Sequence, residues 1–265
     1  MSTTGEPIDA IILGAGKGTR MNSDLPKVAH EAAGRAMVTW VVDACFAAGV
    51  SRVVLVVGHG REIVEDLFSS HPHRNRLSFA LQAEQLGTGH AVLSAREAFE
   101  PISDAAGDVL VLCGDGPLIR AGTLEQLIAR HREVSAVATL ATAVLDDPSG
   151  YGRVVRDERG GFARIVEQKN ASPEQLTIRE VNPSYYCFRT PELFSALDRV
   201  ERNVVSGEYY VTDVPALLLA DGGRVEVIDA VPAEDVLSVN TPAQLAEVES
   251  VLQSRASSSP AEVSP

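Results

Sequence analysis

The first segment whose residue types could do chemistry is Leu13 to Lys27, LGAGKGTRMNSDLPK, which holds Gly14, Gly16 and Gly18 and the cations Lys17, Arg20 and Lys27. Glycines let backbone amides come close to an anion, and cations beside them offset its charge. Two common phosphate-binding patterns do not fit. A dinucleotide fingerprint needs Gly where Thr19 stands, and a P-loop needs Ser or Thr directly after Lys17, where Gly18 intervenes. A phosphorylated ligand and an ordinary strand-to-helix turn with solvated lysines both remain open for the loop taken alone. Lysine usage bears on the choice. Of 23 basic residues only Lys17, Lys27 and Lys169 are lysine, so this chain uses Arg wherever any cation serves. Lys is a compact point charge suited to a phosphate oxygen, and two of the three flank this one loop. The third is then expected near the same ligand.

The rest of the chain narrows the classes of function. At 265 residues and 45% apolar composition it is long enough and apolar enough for one large globular domain. A net charge of -13 argues against a broad nucleic-acid surface. The N-terminal MSTTGEPIDAIIL lacks a basic flank, and no run approaches the ~20 apolar residues of a membrane span, so a soluble, cytoplasmic protein is expected. Cys45, Cys113 and Cys187 are odd in number and set in apolar contexts, which fits reduced, buried thiols. His71 and His73 lie in HPHRNR, which reads as a solvated turn rather than a metal site.

The elements that would position the loop alternate between strand and helix. Strands are expected over 9–13, 52–57, 77–81 and 108–113, with helices over 37–48, 62–68, 90–99 and 123–131 between and after them. That alternation implies a mainly parallel sheet covered on both faces. GRVVRDERGGFARIVEQ reads as a hairpin turning at Gly160-Gly161, inserted on the sheet's edge. A strand at 185–188, helices around 191–200 and 212–220, a strand at 224–228 and a closing helix over 242–252 complete one domain of 1–252. The Ser- and Pro-rich residues 253–265 are expected to be a disordered tail.

After the glycine-rich loop come QAEQLGTGHAV, GDGPLI, GYGRVVR, IVEQKNA, EVN, GEYYVTD and SVNTP, in that order. Each is common alone, and the ordered set resembles the uridyltransferase domain of bacterial N-acetylglucosamine-1-phosphate uridyltransferases, within the sugar-nucleotide pyrophosphorylases. The resemblance implies a three-layer α/β/α nucleotide-diphospho-sugar transferase fold, a Rossmann-like mixed sheet with a β-hairpin insertion. It implies Mg²⁺-dependent transfer from UTP to a hexosamine 1-phosphate, most simply N-acetylglucosamine 1-phosphate, with release of pyrophosphate. On the matched positions Arg20 and Lys27 are catalytic, holding the triphosphate. Leu13, Gly14, Gly16, Gly18, Gln82, Gln85, Gly87 and Thr88 bind the nucleotide. Gly152, Glu167, Lys169, Asn182 and Thr212 serve the sugar, and Asp115 with Asn240 holds Mg²⁺. One carboxylate, one amide oxygen, phosphates and waters suit that ion's six oxygen positions. Taken alone, Asp115 also reads as a turn or helix cap, and the tyrosines of GEYYVTD as packing residues.

Departures from the family pattern concentrate at the sugar side. Gly14 and Gly116 replace bulkier residues, Asn170 replaces Asp after Lys169, and Pro183-Ser184 replaces a small residue and glycine after Asn182. Proline removes an amide donor and serine adds volume. A different sugar 1-phosphate or nucleotide, or a non-catalytic nucleotide-sugar binder, are therefore the alternatives. No trimerising β-helix domain is expected, and the expectation is an acidic monomer or weak dimer.

Overall fold

In the computed structural model, which describes residues 7–103 and 106–258, the first half of the chain winds strand after helix. It runs β1 (Ile8–Leu13), a short ladder of β2 (Glu31–Ala32) and β3 (Arg35–Ala36), α1 (Met37–Ala47), β4 (Arg52–Val57), α2 (Arg61–Asp66), β5 (Leu77–Leu81), α3 (Thr88–Ser94), β6 (Asp108–Cys113) and α4 (Ala121–Glu133). The second half adds β7 (Ala138–Val144), β8 (Gly152–Arg156), β9 (Phe162–Val166), α5 (Pro173–Leu176), β10 (Glu180–Arg189), α6 (Thr190–Leu197), α7 (Val214–Ala220), β11 (Val225–Asp229) and α8 (Pro242–Ser258).

Successive side chains of a strand point to opposite faces, and here both faces are dry. Ala10 and Ile12 of β1, with Val53 and Leu55 of β4, pack with Val38, Val41 and Leu124 from α1 and α4. Ile11, Val54 and Val56 pack the other way, with Val92, Phe194 and Leu218 from α3, α6 and α7. This is the expected three-layer α/β/α arrangement. The sheet order is β11-β7-β10-β6-β1-β4-β5. β6, β1, β4 and β5 are mutually parallel, and β10 runs antiparallel to both neighbours. That one reversal brings the start of β10 beside the end of β6, where open α/β sheets place ligands.

Several expectations change. β7 escaped the sequence reading because six of its seven residues are buried and those six are Ala, Thr and one Leu, so it shows neither alternation nor a bulky β-branched run. The hairpin β8–β9 does not sit on the sheet's edge: it pairs with the first residues of the interior strand β10, Val181 opposite Arg153 and Asn182 opposite Gly152. A bulge between Val181 and Tyr185 accompanies this attachment: the strand's beginning stays paired with β7 at Glu180 and Val181, and β8 takes the side that β6 occupies from Tyr185 onward. The helix expected over 90–99 divides into α3 and a 3-10 turn at Arg96–Phe99. The closing helix does not stop at Leu252. It continues to Ser258, held by Arg255, whose guanidinium donates to the Leu118 carbonyl at 2.9 Å and pairs with buried Asp235. The rest of the expected tail lies outside the described residues. His71 is not solvated either: its ring is buried against Phe68 and its Nε2 lies 2.9 Å from Asp43 on α1. Among the described residues no cluster of three His, Cys, Asp or Glu could hold a metal, and no helix is long and apolar enough to cross a membrane.

Candidate active site

Two cavities open at the carboxyl ends of the parallel strands and share a wall. The larger, about 250 Å³, is lined by Leu13, Ala15, Gly16, Lys27, Gln82, Gln85, Gly87, Thr88, Glu208 and Tyr210 among others. The smaller, about 170 Å³, is lined by Gly150, Tyr151, Gly152, Glu167, Asn182, Pro183, Ser184, Ser238 and Asn240. Cys113 and Asp115 border both. The two cavities therefore meet at the end of β6.

At that shared wall three chain segments converge. Lys27 Nζ forms an ion pair with Asp115 Oδ2 and donates to Asn240 Oδ1 at 2.8 Å. Arg20 donates to the same amide oxygen at 2.9 Å. Asn240 is held in turn by the start of α8, its backbone N–H bonded to Gln244 Oε1 at 2.8 Å, and the Val239 N–H bonds the Asp115 carbonyl at 3.0 Å. Asp115 Oδ1 is buried with no hydrogen-bond partner. A carboxylate oxygen in that state, beside an amide oxygen, is a donor set suited to a hard divalent cation that takes its remaining ligands from phosphates and water.

The glycine-rich loop divides its labour. Gly16 lines the larger cavity, with open space where a side chain would stand. Gly14 is buried, its N–H bonded to the Val56 carbonyl at 2.8 Å, so it joins the loop to β4 and does not border the cavity. Gly18, with φ +64, leaves room for Lys27: a Cβ there would lie 2.6 Å from Lys27 Cβ. Its contribution is to the lysine's path. Lys17 is exposed and outside both cavities.

The far wall of the larger cavity is the turn after β5. Gln82 is buried, and its Nε2 reaches the Gly87 carbonyl at 3.1 Å and His90 Nδ1 at 3.0 Å, which leaves its oxygen as the atom available to a ligand. Gln85 Nε2 donates to the Gln82 carbonyl at 3.2 Å. Gly87 has φ +107, and a Cβ there would collide with the Tyr209 carbonyl at 2.5 Å. Thr88 Oγ1 accepts from the Val211 N–H at 3.1 Å, so this turn and the segment 208–211 are docked together.

In the smaller cavity Gly152 faces Glu167, whose carboxylate oxygens would lie 3.7 Å from a Cβ at that position. Burial pushes the Glu167 carboxyl up, opposed by the hydrogen bond from Thr212 Oγ1 at 3.1 Å. Thr212 is buried and acts through Glu167. Asn182 Nδ2 donates to the Tyr186 hydroxyl at 2.6 Å, and its Oδ1 accepts the Ser184 N–H at 3.3 Å. Ser184 holds φ +66, a conformation that ordinarily selects glycine. Lys169 lies outside both cavities. It pairs with Glu208 at 3.3 Å and sits 5.2 Å over the Tyr210 ring, and its hydrogen bonds to Tyr210 and Glu208 push its ammonium pKa up.

Sequence reasoning missed Cys113, Tyr151, Ser238, Glu208 and the cavity role of Tyr210. Cys113 carried a usable signal, since it is the last residue of a buried strand in a sheet of this type. Burial pushes its thiol up to about 12, so it lines the cavity as a neutral group.

The MobA-like NTP transferase domain family matches residues 10–203 of the chain. The chain is 47% identical over 246 residues to the bifunctional protein GlmU of Pelotomaculum thermopropionicum and 45% identical over 246 residues to that of Heliobacterium modesticaldum. Each alignment covers 93% of this chain and 52% of the relative, so the chain spans about half the length of these curated relatives. A crystal structure of UDP-glucose pyrophosphorylase complexed with UDP-glucose superposes with a TM-score of 0.76 at 16% identity, covering 94% of this chain and 100% of that one. At that identity the likeness is one of fold.

Proposed function

The chain belongs to the MobA-like NTP transferase family, and from that premise we propose that it transfers a uridylyl group from UTP to a hexosamine 1-phosphate, N-acetylglucosamine 1-phosphate being the favoured acceptor, with Mg²⁺. The observation that carries this reading is the junction of two cavities at Asp115, with Lys27, Arg20 and Asn240 gathered on it. The larger cavity suits the nucleotide, its carboxamides able to accept and donate against a pyrimidine edge. The smaller suits the sugar, with Glu167 as acceptor for hydroxyl donors. Relatives at 45% and 47% identity over this region carry the name bifunctional protein GlmU.

In the reaction a phosphate oxygen of the sugar phosphate attacks the α-phosphorus of UTP, a new P–O bond forms, and the bond to the β-phosphate breaks to release pyrophosphate. The protein's share is positioning and charge neutralisation. Two phosphate charges about 4 Å apart repel by ~4 kcal/mol at an effective dielectric of ~20. Lys27 and Arg20 offset that repulsion, Lys27 at the junction and Arg20 toward the departing pyrophosphate. Asp115 and Asn240 would hold Mg²⁺, which supplies charge stabilisation to the phosphate oxygens when bound. Gly16 leaves its backbone open to the triphosphate.

A different sugar 1-phosphate is the second reading, favoured by Ser184 and Pro183 in the wall of the smaller cavity. Pyrophosphate release with Mg²⁺ and UTP across N-acetylglucosamine, glucosamine and glucose 1-phosphates tests both. Release dependent on the first supports the proposal, and release with another supports the second reading. Silence across the panel from protein that binds UTP would overturn catalysis with these acceptors.

A further inference from the structure

Arg153 on β8 is 2% exposed, and the groups that hold it are neutral. Its Nη1 donates to the Tyr151 carbonyl and its Nη2 to Gln168 Oε1 at 3.3 Å, while its Nε has no partner. Gln168 Oε1 also accepts the N–H of Gly150. The carboxylate of Asp147 acts on Arg153 only through space, across a longer gap. A buried cation without a bonded carboxylate is costly, because desolvation is not repaid by a close counter-charge. In register Arg153 lies between Val166 of β9 and Val181 of β10. An apolar side chain would suit that setting without the desolvation cost. What the guanidinium adds is a fork that ties the 150–151 segment to residue 168.

One end of that tie borders the smaller cavity, and the other adjoins a residue that does. Gly150 and Tyr151 form part of one wall, and Glu167, directly before Gln168, forms part of another. We propose that Arg153, working through Gln168, is a positioning residue that fixes the spacing of these two walls and thereby the fit of the sugar 1-phosphate. The assignment of the cavity to the sugar phosphate rests on the function proposed above. Arg153 does not touch the reacting atoms in this reading, and the larger cavity, which has none of these residues in its lining, is independent of it.

The two-substrate reaction separates positioning from a generic structural role. Arg153→Lys keeps the charge and loses the fork, and Gln168→Leu removes the shared acceptor while leaving the guanidinium. Each is expected to raise KM for N-acetylglucosamine 1-phosphate about tenfold, with kcat within about threefold of wild type and UTP affinity unchanged. The double variant is expected to be no worse than the worse single one, since both cut one bridge. Calorimetric binding of N-acetylglucosamine 1-phosphate gives the same comparison without turnover, so a wild-type protein that binds but does not react would overturn the catalytic reading and leave this inference decided by the variants. Unchanged sugar-phosphate affinity in Gln168→Leu, or equal losses for UTP and sugar phosphate in both variants, would overturn the positioning role. If Arg153→Lys fails to fold, Gln168→Leu, which alters an exposed side chain, decides.

Discussion

The ammonium of Lys27 is paired with the carboxylate of Asp115, and it bonds the amide oxygen of Asn240 in the same stroke. Of the two oxygens suited to a divalent cation, the Asn240 amide oxygen thus already has an internal cation on it, and Asp115 Oδ1 stays unpartnered while its sister Oδ2 pairs with the lysine. A metal on Asp115 Oδ1 and Asn240 Oδ1 would compete with the lysine for the amide oxygen and for the charge of one carboxylate, and a triphosphate that draws Lys27 toward its own oxygens would end that competition. On the function proposed above, the arrangement favours arrival of metal together with nucleotide.

Lys27→Met therefore has opposite expected effects on two ligands. Mn²⁺, used as a probe without nucleotide, should bind at least about tenfold tighter, which corresponds to ~1.4 kcal/mol of relieved competition. UTP should bind more weakly, because a phosphate contact is lost. Titration of both ligands by calorimetry checks this, and Mn²⁺ affinity that is unchanged or weaker in the variant would refute the competition.

Gly87→Ala should remove nucleotide binding and lower stability together. The added Cβ meets the Tyr209 carbonyl at 2.5 Å, and φ +107 is unfavourable for any L side chain. Separating the turn after β5 from segment 208–211 costs about 1–3 kcal/mol on the usual scale of such strain. Thermal unfolding and UTP titration of the variant are the measurements, and wild-type values for either would place the turn's tightness outside the binding site's needs.

Some of this was readable in the chain and some was not. β4, β5 and β6 are legible to the residue because apolar-rich runs such as RVVLVV and DVLVLC form buried strands, and the cations of the loop stand out against an acidic chain. The partnership of Lys27 with Asn240 is not legible by local pattern, being set by a closing loop 213 residues away. β7 was hidden by burial on both faces. The rarity of lysine places Lys169 near the same ligand, and its ammonium pairs with Glu208, which lines the larger cavity, and lies over the Tyr210 ring. Lysine scarcity singled out an ion pair at the junction of the two cavities at Lys27 and a strap between two loops at Lys169.

Ser184→Gly tests whether the strained position tunes the sugar. A non-glycine residue at φ +66 costs ~1 kcal/mol relative to glycine, and Ser184 lines the smaller cavity together with Cys113. The variant should be about as stable as wild type, since relief of strain is offset by glycine's greater conformational freedom in the unfolded chain. Its ranking of sugar 1-phosphates should change while UTP affinity stays constant. An unaltered ranking would assign Ser184 to the packing of the β10 bulge.

Glu167→Gln is expected to separate stability from function through pH. The folded carboxyl sits above its ordinary value of 4.5, burial being the main cause and the Thr212 bond opposing it. Between the unfolded and folded values the native state holds more protons than the unfolded chain, so this group lowers stability as pH rises through the window. Below 4.5 both states are protonated and the effect vanishes. Glutamine has no such titration. The variant should therefore melt higher than wild type at pH 7, by about 2 °C for each ~1 kcal/mol relieved in a chain of this size, and the difference should close toward pH 4. Sugar-phosphate affinity should fall at pH 7, because the amide replaces an acceptor-only carboxylate facing hydroxyl donors. Melting curves at the two pH values and calorimetry at pH 7 check both arms. A variant less stable than wild type at pH 7, with the gap widening as pH rises, would mean that the Glu167 carboxylate stabilises the fold through its bond with Thr212 and is not held there for the ligand.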